Sequence, residues 1–149
     1  MTKASLAAAL IYRDPWAALD WLEKAFGFER SMVISDADGG LAHAQLNFGN
    51  GYIMVGSPWN EMVASPADIG GRNTQILHVQ LGADIDGHCE RARAAGAVIQ
   101  QEPAEQFYGD RTYRASDPEG HFWTFAQNVR PFSVEESEKA TGLKIEMFS

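Results

Sequence analysis

Three pairs of glycines in this chain are each 69 residues apart: Gly27 and Gly96, Gly40 and Gly109, Gly51 and Gly120. Glycine is placed where the backbone must adopt a conformation that other residues resist, so repeated glycine spacing implies repeated architecture. The contexts correspond as well. The first pair closes two helical patterns, and the other two lie in turn-like stretches, "DADGG" against "QFYGD" and "FGNG" against "DPEG". Little else is shared between the halves, so the repeat is one of structure.

The helical patterns have recognisable ends. Asp14 is a suitable N-cap, Pro15 suits the first helical position, and Gly27 can close the helix in the left-handed conformation. Between them Ala18, Leu19, Leu22, Ala25 and Phe26 form one apolar stripe. The second helix has Asp84 or Asp86 as its cap, "GHCERARAA" as its body and Gly96 at its end. Each half then reads strand, helix, strand, strand, strand. The strands are expected at 5–12, 30–36, 41–48 and 52–57, and again at 75–82, 98–101, 106–115 and 121–128.

The fold class is therefore α+β, built from two tandem βαβββ modules. Residues 1–149 are read as one domain, with a first module at 5–58, a Pro- and Gly-rich connector at 59–74, a second module at 75–130 and a tail at 131–149. Ser133 and Glu136 match a capping box that starts a short helix in that tail.

Composition narrows the function classes. Twenty acidic against 12 basic residues give a formal charge of -8, which disfavours the nucleic-acid backbone as a partner. No apolar run approaches the roughly 20 residues of a membrane-spanning helix. The apolar run near the start is read as a strand of a cytoplasmic protein rather than as a signal peptide. One cysteine, Cys89, allows neither an internal disulfide nor a multi-thiolate metal site within the chain. Neither a nucleophile elbow nor a phosphate loop is present.

Tandem βαβββ modules, with "YGDRTYRASDPEGHFW" near the end of the second, resemble the vicinal oxygen chelate superfamily of glyoxalases, bleomycin-resistance proteins and dioxygenases. The resemblance covers about residues 5 to 130 and is most specific for the branch resembling glyoxalase and bleomycin-resistance proteins. It implies that the two modules' mixed sheets are curled and enclose a concave cavity, that a small-molecule ligand sits in that cavity, and that the protein is a homodimer. It also implies that an enzyme of the group would place one metal ligand on the first and last strand of each module. Counting from the helix caps and turn glycines puts those positions at Ala7, Ile76, Val55 and Thr124, with Met54 covering a one-residue slip. None of these residue types binds a catalytic zinc, nickel or iron ion well. The expectation is a chain with no metal site and no cofactor.

Strand alternation assigns the faces. Leu77, Val79 and Leu81 suit the helix side, leaving Ile76, His78 and Gln80 toward the cavity. Likewise Ala42, Ala44, Leu46 and Phe48 leave His43, Gln45 and Asn47 inward, and a shift of 69 adds Thr112, Arg114 and Ser116. The candidate ligand-binding residues are His43, Gln45, Asn47, His78, Gln80, Arg114, Ser116 and Thr124. His43 and His78 are also the residues that an alternative reading would use, as part of a displaced metal site or as acid and base in a lyase, isomerase or dioxygenase. Trp123 and Phe125 are expected in the core, His121 as a scaffold histidine, and Asp117-Pro118-Glu119-Gly120 as a β-turn.

Overall fold

The computed structural model describes residues 4–148. Two βαβββ units follow one another in the chain. The first comprises β1 (Ala8–Ile11), α1 (Pro15–Phe26), β2 (Glu29–Ser35), β3 (Leu41–Phe48) and β4 (Gly51–Gly56). The second comprises β5 (Leu77–Leu81), α2 (Ile85–Ala94), β6 (Val98–Glu105), β7 (Asp110–Ser116) and β8 (Phe122–Asn128). A 3₁₀ turn at Pro66–Asp68 lies in the connection, and α3 (Val134–Thr141) follows the second unit.

Each unit forms its own four-stranded mixed sheet, ordered β1-β4-β3-β2 and β5-β8-β7-β6. The first and last strands of each unit run parallel and the other neighbours antiparallel. The sheets stay open rather than joining into a closed barrel, so β1 and β5 each end a sheet with one free edge. This qualifies the expected enclosure: the chain supplies two open sheets. No helix among the described residues is long and apolar enough to cross a membrane.

The helix ends follow local chemistry. Asp14 accepts a hydrogen bond from the Ala17 amide, Pro15 opens α1, and Gly27 closes it at φ +84°. Asp84 caps α2 through the Gly87 amide, and Ser133 caps α3 through the Glu136 amide. Gly96 is left-handed like Gly27, but the other two glycine pairs are not matched in conformation. The left-handed residues of the first unit's turns are Gly39 and Gly49, whereas the second unit uses Gly109 and Gly120. The units therefore correspond with small length changes in the turns.

The register measures that change. Ala44 pairs with Val55, and Tyr113, 69 residues after Ala44, pairs with Phe125, 70 residues after Val55. The β7–β8 connection is thus one residue longer than the β3–β4 connection. Val55 consequently belongs to the core at 1% exposure, and the residue corresponding to Thr124 is Met54.

One apolar core joins the units. Phe26 and Phe28 from the first pack on Trp123, and Phe26 also packs on Phe125 and His88 of the second. Polar groups fasten the same junction. The Trp21 indole donates to the Ala95 carbonyl at 2.7 Å, and Glu119 accepts from the amides of Arg13 and Asp14 and from the Ser65 hydroxyl. Asn73 of the connection donates to the Gly120 carbonyl and accepts from the Phe122 amide. The "DPEG" turn, with Gly120 N–H donating to Asp117 C=O at 2.9 Å, is where the second unit grips the first.

Candidate functional site

Residues directly across a ladder share a face of the sheet. In the second sheet Gln101 pairs with Arg114, Arg114 with Thr124, and Thr124 with His78. These four form a polar row across all four strands. One step along lie Thr112, Ala126 and Gln80; one step the other way lie Val98, Ser116 and Phe122. The opposite face carries Tyr113, Ala115, Trp123 and Phe125, all fully buried in the shared core.

The polar face has a floor and a rim. Thr112, Ser116, Thr124 and Ala126 are small and buried, while His78, Gln80, Arg114 and Phe122 are longer and exposed. Several of these side chains satisfy one another. The His78 Nε2 lies 3.0 Å from the Gln80 amide oxygen, which only accepts, so that nitrogen carries a proton. Gln80 donates to Asp110, Gln101 donates to the Thr112 hydroxyl, and Gln100 donates to the Ser116 hydroxyl. Two groups are left open. The Thr124 hydroxyl is buried without a partner, and Arg114 has neither an ion pair nor a hydrogen bond among the described residues.

Gln101 was not among the residues expected here. A bulge between Ile99 and Gln101 inserts one residue into β6, so Ile99 faces the core and Gln101 the polar side although they are two apart. Strict alternation cannot reveal that. Pro103 also sits within β6 rather than ending it, at the sheet edge where its missing N–H is tolerated.

In the first sheet His43, Gln45 and Asn47 share one face with Met32 and Ile34 of β2 and with Met54 and Ala9. Asn47 has a buried side-chain oxygen with no partner. A cleft of about 990 Å³ separates the free edges of β1 and β5. It is walled by residues 6–11 and 75–80, crossed by parts of the connection, and reaches Phe28, Phe48 and Trp123 below. Of the eight residues expected to bind ligand, His78 and Gln80 line this cleft. Arg114, Ser116 and Thr124 continue from them along the second sheet, whereas His43, Gln45 and Asn47 stand apart on the first.

The model of the Glyoxalase/Bleomycin resistance protein/Dioxygenase superfamily matches residues 6–125. The chain belongs to that superfamily. Uncharacterized proteins of Mycobacterium bovis and Mycobacterium tuberculosis are 30% identical to it over 140 residues. The match covers 91% of this chain in both cases, and 91% and 81% of the respective relatives. The solved structure of TioX from Micromonospora sp. ML1 is 33% identical, covers 85% of this chain and 99% of its own, and superposes with a TM-score of 0.64. TnmS3 from Streptomyces sp. CB03234, described as an antibiotic binding protein, has the same TM-score at 18% identity, covering 86% of this chain and 98% of its own. That second likeness is one of fold.

Membership of the glyoxalase/bleomycin-resistance superfamily raises the question of a metal. The row that contains Thr124 takes His78, not Ile76, from the first strand of its unit, and the corresponding row of the first unit pairs Ala9 with Met54. These pairings replace Ala7, Ile76 and Val55 as the positions to test. The donors they offer are one imidazole, one hydroxyl and one thioether. A zinc, nickel, manganese or iron site needs about three nitrogen, carboxylate or thiolate ligands. No group of three or more His, Cys, Asp or Glu side chains suited to a metal occurs among the described residues. The side chains present do not fit a resident metal ion.

The remaining histidines have other duties. His88 lies buried between the Tyr113 hydroxyl and the Phe26 carbonyl, and burial lowers its pKa. His121 contacts the Ile11 carbonyl at 2.8 Å and lies against the Tyr12 ring. Cys89 is fully buried, and burial pushes its thiol up to about 11, leaving it unreactive at neutral pH.

Proposed function

We propose that this protein is a metal-independent, small-molecule-binding member of its superfamily, using the polar face of the second sheet as its principal binding surface. The observation that carries the reading is the row Arg114–Thr124–His78. It sets the open Arg114 guanidinium and Thr124 hydroxyl side by side above a floor of small buried residues, with His78 next in the row, while the strand positions that would serve a metal hold Ala9, Met54, Thr124 and a single histidine. Ser116 and Gln80 extend this surface. His43, Gln45 and Asn47 form a second polar face in the first sheet. TnmS3, which shares the fold, is described as an antibiotic binding protein, and that description accords with a binding role.

A homodimer completes the proposed cytoplasmic protein. Two of the four edge strands, β1 and β5, border the cleft, and an unpaired edge invites pairing or cover. Leu6 and Met62 in its wall are 87% and 85% exposed, an arrangement suited to burial by a second copy.

The metal-independent reading is tested by purifying the protein under metal-replete conditions and measuring metal per chain. The expected content is far below one. Near-stoichiometric Zn, Ni, Mn or Fe that is lost on replacing His43 and His78 by Ala overturns the reading in favour of a metalloenzyme.

A further inference from the structure

We infer that the ligand of the second sheet is a small monoanionic carboxylate attached to an apolar body, with Arg114 and Thr124 holding the carboxylate. This deepens the binding-face reading above and rests on it.

The arginines differ in what they pair with. Arg13, Arg30, Arg91, Arg93 and Arg111 each pair with a carboxylate, and Arg72 and Arg130 donate to backbone carbonyls. Arg114 is the one arginine among the described residues with no partner, although the chain has 20 acidic residues available. The nearest acid on its own face, Asp110, is four residues away along β7 and is already held by Gln80 and Asn128. A guanidinium stays charged at any physiological pH and offers a planar fork of donors that matches a carboxylate.

Thr124 supplies the second donor. It lies directly across from Arg114, is 7% exposed, and its hydroxyl has no partner. A buried hydroxyl left unsatisfied is costly, so an oxygen seated beside Arg114 relieves Thr124 in the same step. The overall charge of -8 argues for a single negative charge on the ligand, because polyanions are repelled.

The apolar part follows from the adjacent row. Phe122 and Val98, either side of Ser116, are 38% and 57% exposed, and Ile76, just before β5, is 52% exposed. Rows two residues apart along a strand are about 6.6 Å apart. An aromatic or aliphatic group of about one ring's width therefore reaches this row while its carboxylate stays on Arg114.

Phenylacetate, indole-3-acetate and 2-naphthoate, each beside its uncharged primary amide, test the inference by titration calorimetry and by amide-resonance shifts across residues 112–126. At least one carboxylate is expected to bind about tenfold or more tightly than its amide, with shifts centred on Arg114 and Thr124. Arg114→Gln is expected to abolish that preference and Arg114→Lys to keep part of it. Arg111→Gln, on a residue paired with Asp86, is expected to leave it unchanged. Amides that bind as well as their acids, with shifts on the same residues, overturn the carboxylate inference but leave the binding face standing. Saturable binding with shifts elsewhere, or no binding by any probe, overturns both.

Discussion

Tyr12 donates its hydroxyl hydrogen to Asp117, 105 residues later in the chain, across 2.6 Å in the buried seam between the two units. Asp117 also accepts from the Trp123 indole and from the amides of Glu119 and His121. Burial pushes the Asp117 carboxyl above its ordinary range, while the Tyr12 and Trp123 donors pull it back by favouring the anion. Tyr12→Phe removes one such donor and is expected to cost about 1–2 kcal/mol at neutral pH. Because the lost bond favours the ionised form, the gap between wild type and variant narrows as pH falls through the Asp117 titration. Urea unfolding of both proteins at pH 7 and at pH 4 checks this, and an equal gap at both refutes it.

His88 sets a second pH dependence of opposite origin. Its Nε2 lies 2.9 Å from the Phe26 carbonyl, which can only accept, so that nitrogen carries the proton and Nδ1 accepts from the Tyr113 hydroxyl at 2.5 Å. This neutral form is favoured by burial, which lowers the pKa below 6.5; the hydrogen bond to Phe26 opposes that shift and the charge of Arg91 adds to it. The unfolded chain takes up its proton first on acidification. Stability is therefore full above about pH 6.5 and falls as pH drops from there toward the folded-state pKa. His88→Phe is expected to be less stable overall, because the Tyr113 hydroxyl and Phe26 carbonyl lose their partner. Its unfolding free energy should also change less between pH 7 and pH 5.5 than that of wild type.

The sequence made some of this architecture legible and hid the rest for definite reasons. The faces of β5, β7 and β8 follow alternation because a side chain in a regular strand has two directions available, so Trp123 and Phe125 were assignable to the core and His78 and Arg114 to the other side. Caps such as Asp14 and Ser133 act within three residues and are equally readable. Spacing failed wherever a residue was inserted. One extra residue in the β7–β8 turn moved the counterpart of Thr124 from Val55 to Met54, and one bulge residue brought Gln101 onto the polar face. Contacts such as Glu119 with the Arg13 and Asp14 amides depend on how two units pack, and no local pattern encodes them.

Gly109 shows how strictly one turn is built. Its φ is +98°, and a β-carbon placed there would stand 2.5 Å from the Arg130 carbonyl oxygen. The Gly109 carbonyl meanwhile accepts from the amides of Val129 and Arg130, tying the exit of β8 to the β6–β7 turn. Gly39 is also left-handed, at φ +83°, but has open space where a β-carbon would go. Gly39→Ala is thus expected to cost about 1 kcal/mol, the conformational penalty alone. Gly109→Ala, which adds a backbone clash, should cost about 3 kcal/mol and shift the melting temperature down by about 6–12 °C for a chain of this size. Similar melting temperatures for the two variants contradict so close an approach of Arg130 to this turn.

The proposed homodimer is open to direct measurement. The free edges of β1 and β5 and the exposed apolar residues Leu6 and Met62 border the cleft between the two units. An edge strand offers unpaired amide and carbonyl groups along its length, so leaving two of them beside an open cleft is a liability unless something covers them. Sedimentation equilibrium of the wild-type protein is expected to give twice the chain mass of 16.4 kDa. Leu6→Asp with Met62→Asp places charge on two highly exposed cleft residues, where a lone chain has nothing to lose. If a second copy covers the cleft, burying those carboxylates is costly, and the variant should sediment as a single chain or dissociate at higher concentration than wild type. Circular dichroism should remain unchanged, because neither side chain belongs to the core. A wild-type protein that sediments as one chain, or a variant that dimerises as tightly as wild type, removes this cleft as the interface.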